Sequence, residues 1–521
     1  MNLLRYALSA REMQVCDRNT REYFGLSSLV LMERAALKIC DRIEELLSGE
    51  MRKIVIFAGR GNNGADALAC ARILHERGYQ ARIFLLGEET KSSEECKIQK
   101  KILERYRLSI ENYSKETEWG EGPFLILDGI FGIGFNRKME GIYAQAAREI
   151  NRLRKQEPHT RVLSIDIASG IHADNGQVSD PCVRADITLT FAFAKIGQLL
   201  YPGAEYTGKL EIADIGITAA SFLGVMPQAS YLTESVLELL PERSPSGNKG
   251  TFGKCVIIAG SDKISGAALL CAETCYRSGA GMVKVITSKE NKEAVQTSLP
   301  EALSDFYSLT DGIRCYEELD LILDEAFEWA TSLVIGPGIG TSRGAYHIVL
   351  RVLTKYTGPL ILDADALTMI ASSDELKDLL LQYQGGRRWV ILTPHVKEFA
   401  CLYGTSVADV KEHLVSYTIE LAKKYGVCVI CKDARSIIAS YELPGYAINV
   451  SGNSGMATAG SGDVLAGLLG ALACLLPSPY RTAAVGAYIH GKAGDLAKKE
   501  LGEYYMLAGD LMKRIQKVLS E

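Results

Sequence analysis

The run Lys53-Ile-Val-Ile-Phe-Ala-Gly-Arg-Gly-Asn-Asn-Gly-Ala-Asp66 decides the fold class. Six residues of strand length and apolar character lead into a glycine turn, and a helix starts beyond it. A strand passing through such a turn into a helix is the opening unit of a parallel α/β layer. Gly59, Gly61 and Gly64 satisfy G-x-G-x-x-G. Glycines let the backbone approach an anion, and the helix N-terminus offers free N–H groups and a positive dipole. An ordinary nicotinamide-dinucleotide fold also wants an acidic residue about 20 positions on, and only Glu88, just past Gly87, answers. Asn62, Asn63 and Asp66 place two amides and a carboxylate on one turn, which suits a ligand or a cation bound through oxygen. A tight Asx turn would carry the same signature.

Working outward, short apolar runs alternate with helix-length segments along all 521 residues. The first block opens on a helical stretch, 10–47. Its strands are expected at 53–58, 80–86, 124–127, 162–165, 187–191 and 210–212. The second block offers 255–259, 282–287, 332–335, 359–362, 389–392, 427–431, 436–440 and 447–450. Between them lies a stretch, 219–250, where Pro, Ser and Gly gather, including Pro241-Glu-Arg-Ser-Pro-Ser-Gly247. We place a domain boundary there, giving 1–225 and 226–521, with 233–250 leading into the second domain. No repeat at a fixed period is present.

Composition removes other classes. Fifty-eight Lys and Arg stand against 63 Asp and Glu, a net charge of −5, so neither a nucleic acid nor another polyanion is an expected partner. No uninterrupted apolar run approaches the roughly 20 residues a membrane span needs. The first ten residues, with Arg5 inside a short apolar stretch, do not form an export signal. The 13 cysteines are an odd number scattered over a long chain, unlike a disulfide framework. Cys428 and Cys431 form the one CxxC, but in a strand they face opposite sides. A reducing, cytoplasmic setting is expected.

Two further strands of the first block end in aspartate. Leu125-Ile-Leu-Asp128 precedes Gly129-Ile-Phe-Gly132-Ile-Gly134, and Leu163-Ser-Ile-Asp166 precedes Ile167-Ala-Ser169-Gly170. Either aspartate alone could be a helix cap. Ligands in open parallel sheets bind beyond the carboxyl ends of strands, so Asn63, Asp128, Asp166 and Ser169 are expected to meet in one crevice.

These motifs, with Phe191-Ala-Phe-Ala-Lys195, resemble the epimerase domain of NAD(P)H-hydrate repair enzymes over 8–220 and imply a Rossmann-like three-layer sandwich. The resemblance implies that Asn62, Asn63, Gly64, Ala65, Asp66, Gly132, Ile133, Gly134, Phe135, Asn136, Arg137, Lys138 and Asp166 contact a hydrated dinucleotide. It also implies that Asn63, Asp128 and Ser169 bind potassium, and that Asp166 does the acid–base work. Ala65, Ala168 and Arg34 depart from the family's usual glycine, proline and asparagine. Arg34 is the departure that bears on local geometry or oligomer contacts.

The second block has no GxxxxGK[ST] loop. Its phosphate chemistry points instead to Asn453-Ser-Gly455-Met-Ala-Thr458-Ala-Gly460-Ser461-Gly462-Asp463, ahead of an apolar helix. Bare N–H groups there would form an anion hole, with Asp463 placed to take a hydroxyl proton. A capped glycine turn is the structural alternative. Other strand ends agree: Gly336-Pro-Gly338-Ile-Gly340, Asp363-Ala-Asp365, Thr393-Pro-His395 with Glu398, and Lys432-Asp-Ala-Arg-Ser436. His395 has no partner at zinc-site spacing, and the other six histidines fit no ligand pattern.

This block resembles the dehydratase domain of the same enzymes, a relative of ribokinase-like α/β folds. Gly260-Ser-Asp-Lys-Ile-Ser-Gly266-Ala267 and Arg277-Ser-Gly-Ala-Gly281 complete the match. The resemblance implies that Ala267, Gly338, His395 and Asp463 contact the hydrate. Lys432, Asp433, Ala434, Arg435, Ser436, Gly460, Ser461 and Gly462 would hold the adenine nucleotide. ADP would be the phosphoryl donor, rather than ATP, with Mg²⁺. The implied function is repair of hydrated NADH and NADPH by epimerisation of the R and S forms and ADP-dependent dehydration of the S form, in a homo-oligomer. Asp433 stands where glycine is usual and adds negative charge beside a phosphate site. The alternative is a vitamin-precursor kinase of ribokinase-like fold fused to a non-catalytic Rossmann-like scaffold.

Overall fold

A computed structural model describes residues 5–47, 52–308, 313–383 and 388–520. Residues 1–4, part of the stretch read against an export signal, lie outside these. The chain forms two compact units, Tyr6–Ala229 and a second from Ser230 onward.

In the first unit six strands run parallel in the order Ala81–Leu85, Lys53–Ala58, Phe124–Gly129, Arg161–Ile165, Ile187–Phe191, Lys209–Ala213. The four inner strands are near-continuous buried runs because helices cover both faces, whereas the edge strand Lys209–Ala213 is partly exposed. Ile54, Ile56 and Ala58 join one core with helices Ser28–Leu47 and Asn62–Glu76, while Val55 and Phe57 join another with Gly141–Gln156. The chain steps from Lys53–Ala58 to Ala81–Leu85 on one side and returns to Phe124–Gly129 on the other. That reversal opens a crevice at the carboxyl ends of Lys53–Ala58 and Phe124–Gly129. The helical stretch expected over 10–47 is two helices, Ala10–Glu22 and Ser28–Leu47. Gly25, at φ +79°, lies in the break, in the left-handed region that glycine tolerates.

The second unit has the order Leu303–Tyr307, Met282–Ser288, Lys254–Ile258, Ser332–Ile335, Leu360–Leu362, Val390–Leu392, Cys428–Cys431, Ser436–Ser440, Tyr446–Asn449. The strands up to Cys428–Cys431 are parallel; the last two pairings are antiparallel. The connections after Cys431 and Ser440 are too short for a crossover helix, so the chain can only turn back on itself. The order in which strands are added reverses between Lys254–Ile258 and Ser332–Ile335, which pair in parallel. Ser461–Leu475 and Pro479–Leu501 pack on it through small and aliphatic residues from Val464 to Ala497. Cys428 and Cys431 are both buried, with unbridged thiols.

Candidate active sites

In the first unit, a cavity of about 830 Å³ opens at the strand reversal. Asn62, Asn63, Asp66, Ile130 to Arg137, Asp166 and Lys195 line it. Two glycines of the loop are required by close packing. A Cβ on Gly59 would lie 1.9 Å from the Ile130 carbonyl oxygen, and one on Gly64 would lie 1.9 Å from that of Gly59. Gly61 meets nothing within 4 Å, so its missing side chain leaves space for a ligand. It also begins helix Asn62–Glu76 without a side-chain cap, leaving N–H groups for an anion.

Asp166 sits at φ +60°, a strained conformation for a non-glycine residue. Its amide donates to Leu189 O at 2.8 Å, and Gln198 Nε2 donates to its carbonyl at 2.6 Å. Oδ1 accepts from Thr190 Oγ1 at 3.1 Å, the Phe191 amide at 3.2 Å and Lys195 Nζ. Lys195 is wholly buried, held where Ala7 and Leu8 pair in parallel with Ala194 and Lys195. Burial pulls its pKa below the usual lysine value, against the pull of Asp166. Asp66 faces the same cavity. Burial, then the charges of Asp166, Asp17 and Glu95, push its carboxyl well above the usual range.

Asp128 is wholly buried but caps no helix. Oδ1 accepts from Ser169 Oγ at 2.6 Å and the Ile130 amide at 3.3 Å; Oδ2 accepts from Ser164 Oγ at 2.8 Å and the Ser169 amide at 2.9 Å. Asn63 Nδ2 donates to the Phe131 carbonyl at 2.9 Å. Ser169 Oγ also accepts from the Phe131 amide at 2.9 Å, so Asn63 and the Asp128–Ser169 pair both hold the Phe131 segment, although Asp128 and Ser169 are fully buried and do not line the cavity. Burial raises the pKa of Asp128, while its hydrogen bonds lower it. The departures are accommodated: Ala65 and Ala168 are fully buried. The Arg34 guanidinium lies against Gly216, 4.0 Å from Asp214.

In the second unit, strand ends again converge. The Gly260 amide donates to Pro337 O at 2.8 Å across the reversal point. A Cβ on Gly338, at φ +64°, would lie 3.1 Å from that of Ala267, which puts those two residues in contact. Asp363 is 1% exposed, and its Oδ1 accepts from Thr393 Oγ1 at 2.7 Å and Lys432 Nζ at 2.8 Å. Gly462 stands over this pair: a Cβ there would be 3.3 Å from Lys432 Nζ. Gly460, at φ +89°, starts Ser461–Leu475 with no side-chain cap, so neither Ser461 nor Asp463 caps the helix. Asp463 lies in the first turn. Burial and the negative charge of Asp363 push its carboxyl up to about 6, against the pull of Lys432. Burial lowers the pKa of Lys432, but Asp363, Glu398 and Asp463 outweigh it and the net shift is upward.

His395 is a cap as well as a site candidate. Its Nδ1 accepts from the amides of Lys397 at 3.1 Å and Glu398 at 3.2 Å, while Glu398 Oε2 accepts from the His395 amide at 2.8 Å. Lys432 is tied to it by a backbone bridge, its amide donating to Pro394 O at 2.8 Å. Asp433 and Ala434 are exposed on the bend after Lys432, and the Arg435 guanidinium reaches Val450 O at 2.5 Å. Sequence reasoning missed His490. Its Nε2 lies 2.9 Å from Ser461 O, and burial pushes its pKa down to about 4. It sits on a small-residue helix, with no motif to mark it. Thr190 and Gln198, which hold Asp166, were equally unmarked.

Two sheet reversal points, each with an uncapped helix start and a carboxyl facing a lysine, define a two-unit α/β enzyme for phosphate-bearing substrates. Residues 28–197 match the family described as YjeF-related protein N-terminus, and 255–517 the one described as NAD(P)H-hydrate dehydratase. The chain is 34% identical to a bifunctional NAD(P)H-hydrate repair enzyme of Moorella thermoacetica, over 99% of this chain and 96% of that one. It is 33% identical to that of Thermofilum pendens, over 98% and 95%. Among solved structures, an ADP/ATP-dependent NAD(P)H-hydrate dehydratase from Bacillus subtilis co-crystallised with ATP and Mg²⁺ is 28% identical, with a TM-score of 0.47, over 56% of this chain and 97% of that one. The chain belongs to the family of bifunctional NAD(P)H-hydrate repair enzymes, which join an epimerase to a dehydratase. Matching of both halves sets the kinase-and-scaffold alternative aside.

Proposed function

We propose that Tyr6–Ala229 interconverts the C6 epimers of hydrated NADH and NADPH, and that the unit from Ser230 onward dehydrates the S form with ADP, giving AMP and phosphate. The observation that carries the second half is the Asp463 carboxyl, raised to about 6 at an uncapped helix start beside Lys432. A base poised near the operating pH is what hydroxyl deprotonation needs.

In the dehydratase, Asp463 takes the proton of the C6 hydroxyl as its oxygen attacks the β-phosphorus of ADP and AMP departs. The amides of the Gly460–Asp463 turn and Lys432 stabilise the oxygens of the transferred group. The C6–O bond then breaks with its electron pair leaving on phosphate, pushed by the lone pair on N1. Loss of a C5 proton forms the C5–C6 double bond and returns that pair to nitrogen. Ala267, Gly338 and His395 would border the dinucleotide, and Asp433 to Ser436 the adenine nucleotide. Among the described residues no cluster of three His, Cys, Asp or Glu assembles a metal site. Mg²⁺ would be carried mainly by the nucleotide phosphates and would supply charge neutralisation there.

In the epimerase, the C6 hydroxyl leaves as water, assisted by N1, and water returns on the other face. Asp166 relays a proton from Lys195 Nζ to the departing oxygen and passes one back to the lysine from the returning water. The residues from Asn62 to Asp66 and from Gly132 to Lys138 would grip the dinucleotide. The oxygen donors of Asn63, Asp128 and Ser169, with one carboxylate among them, fit a potassium ion, which would order the loop around Phe131. A homo-oligomer in the cytoplasm belongs to the same proposal, resting on the family resemblance. Among the described residues no helix is long and apolar enough to cross a membrane.

The test is to incubate the protein with mixed hydrate epimers, with and without ADP or ATP, and follow recovery of dihydronicotinamide absorbance. Complete recovery with ADP supports both halves; recovery stopping at the S fraction sinks the epimerase, and none sinks the dehydratase.

A further inference from the structure

A second cavity of about 700 Å³ adjoins the first, the two sharing Arg60, Lys91, Phe131, Arg137 and Tyr143 in their walls. Its charge is one-sided. Arg60, Lys91, Arg137 and Lys138 line it against two carboxylates, Glu88 and Glu140. One of those is already answered: Lys91 Nζ lies 3.1 Å from Glu88. Arg60 is fixed across the end of strand Ala81–Leu85, its Nε donating to Gly87 O at 3.0 Å. Arg137 and Lys138 are exposed, with no carboxylate partner among the described residues. Tyr113 and Tyr143 supply aromatic wall.

The end of this second strand is where dinucleotide folds choose between cofactors. A free acidic residue there binds a ribose 2′-hydroxyl, whereas arginine accommodates a 2′-phosphate. Here the acid is engaged by lysine and arginine overhangs the strand end. A substrate with its nicotinamide beside Asp166 and its pyrophosphate on the glycine loop would extend its adenosine half toward this adjoining cavity.

We propose that the second cavity is a 2′-phosphate subsite, and that the epimerase unit prefers hydrated NADPH to hydrated NADH through Arg60, Lys91, Arg137 and Lys138. This rests on the epimerase reading of Tyr6–Ala229. A phosphomonoester dianion would draw charge-assisted hydrogen bonds here that a hydroxyl cannot. Lys91 acts twice, by attracting the phosphate and by masking Glu88.

The experiment is epimerisation of each hydrate by the full chain without nucleotide, read as chromatographic conversion of R to S. Expected is a kcat/KM about tenfold higher for hydrated NADPH, with that ratio lost in Lys91→Ala and in Lys138→Ala. Adenosine 2′,5′-bisphosphate should inhibit epimerisation by the unaltered chain about tenfold more tightly than 5′-AMP. This arm needs no variant to fold. Equal efficiency on both hydrates with equal inhibition by the two nucleotides would overturn the subsite and leave the epimerase reading standing. A chain that epimerises neither hydrate would overturn both.

Discussion

Lys432 Nζ lies 2.8 Å from Asp363 Oδ1, an ion pair joining two strand ends with Val390–Leu392 between them. Asp363 is almost wholly enclosed, so the lysine is its charge balance, and Gly462 leaves the space above. Removing one member of such a pair strands the other. Lys432→Ala should cost about 3 kcal/mol of stability in the second unit. It should also slow ADP-dependent dehydration about a hundredfold, since a donor to the transferred phosphoryl group is lost. Denaturant titration and dehydratase kinetics check the two effects.

Asp463→Asn should abolish ADP-dependent loss of the hydrate while epimerisation continues. In the unaltered chain, the acid limb of dehydratase kcat/KM should fall with an apparent pKa near the value of about 6 to which burial pushes this carboxyl. The same shift has a consequence for stability. The folded carboxyl, at about 6 against an ordinary 3.8, binds its proton more tightly than the unfolded one. Stability is therefore lost as pH rises from about 4 through 6 and stays lost above. The asparagine variant should melt higher than the parent at neutral pH, with the gap closing below about pH 4. Undiminished repair by this variant would remove Asp463 from the chemistry.

Asp166→Ala should leave dehydration of the S epimer intact and stop turnover of the R form, so mixed hydrates are consumed only in part. It also strands Lys195, which is fully enclosed. Lys195→Met alone should likewise destabilise the first unit. Asp166→Asn with Lys195→Met should recover stability without activity, because a neutral pair needs no charge balance. Thermal melts of the three variants check this.

Potassium should raise the melting temperature of the first unit over the same concentration of sodium or choline. At a hundredfold excess over the dissociation constant the gain would be about 2.7 kcal/mol. Ser169→Ala removes one donor and should shrink it. A melt indifferent to the cation in both chains would count against the Asn63–Asp128–Ser169 site.

The main sheets were legible in the sequence because their strands are covered on both faces and so read as unbroken apolar runs. Four expected ranges, 53–58, 187–191, 332–335 and 436–440, coincide with the strands found. Strands lacking that signature were missed: Arg5–Leu8, Ala194–Lys195 and the half-exposed edge strand Leu303–Tyr307. The turn at Gly25 escaped notice because helical periodicity flanks it on both sides.

By itself the sequence determined the two-block α/β plan, the glycine loops and the carboxylates at strand ends, since these are local properties of composition and spacing. Tertiary structure decided what those carboxylates face. Asp128 and Asp166 end strands in the same way, yet one is satisfied by two serines and the other is pinned by a buried lysine 29 residues away. Glu88 stood in the sequence as the acid a dinucleotide fold calls for, but folding set Arg60 over the strand end, its Nε on the Gly87 carbonyl. Which charge neutralises which depends on strand order and on what burial excludes, and neither is written in any local run of residues.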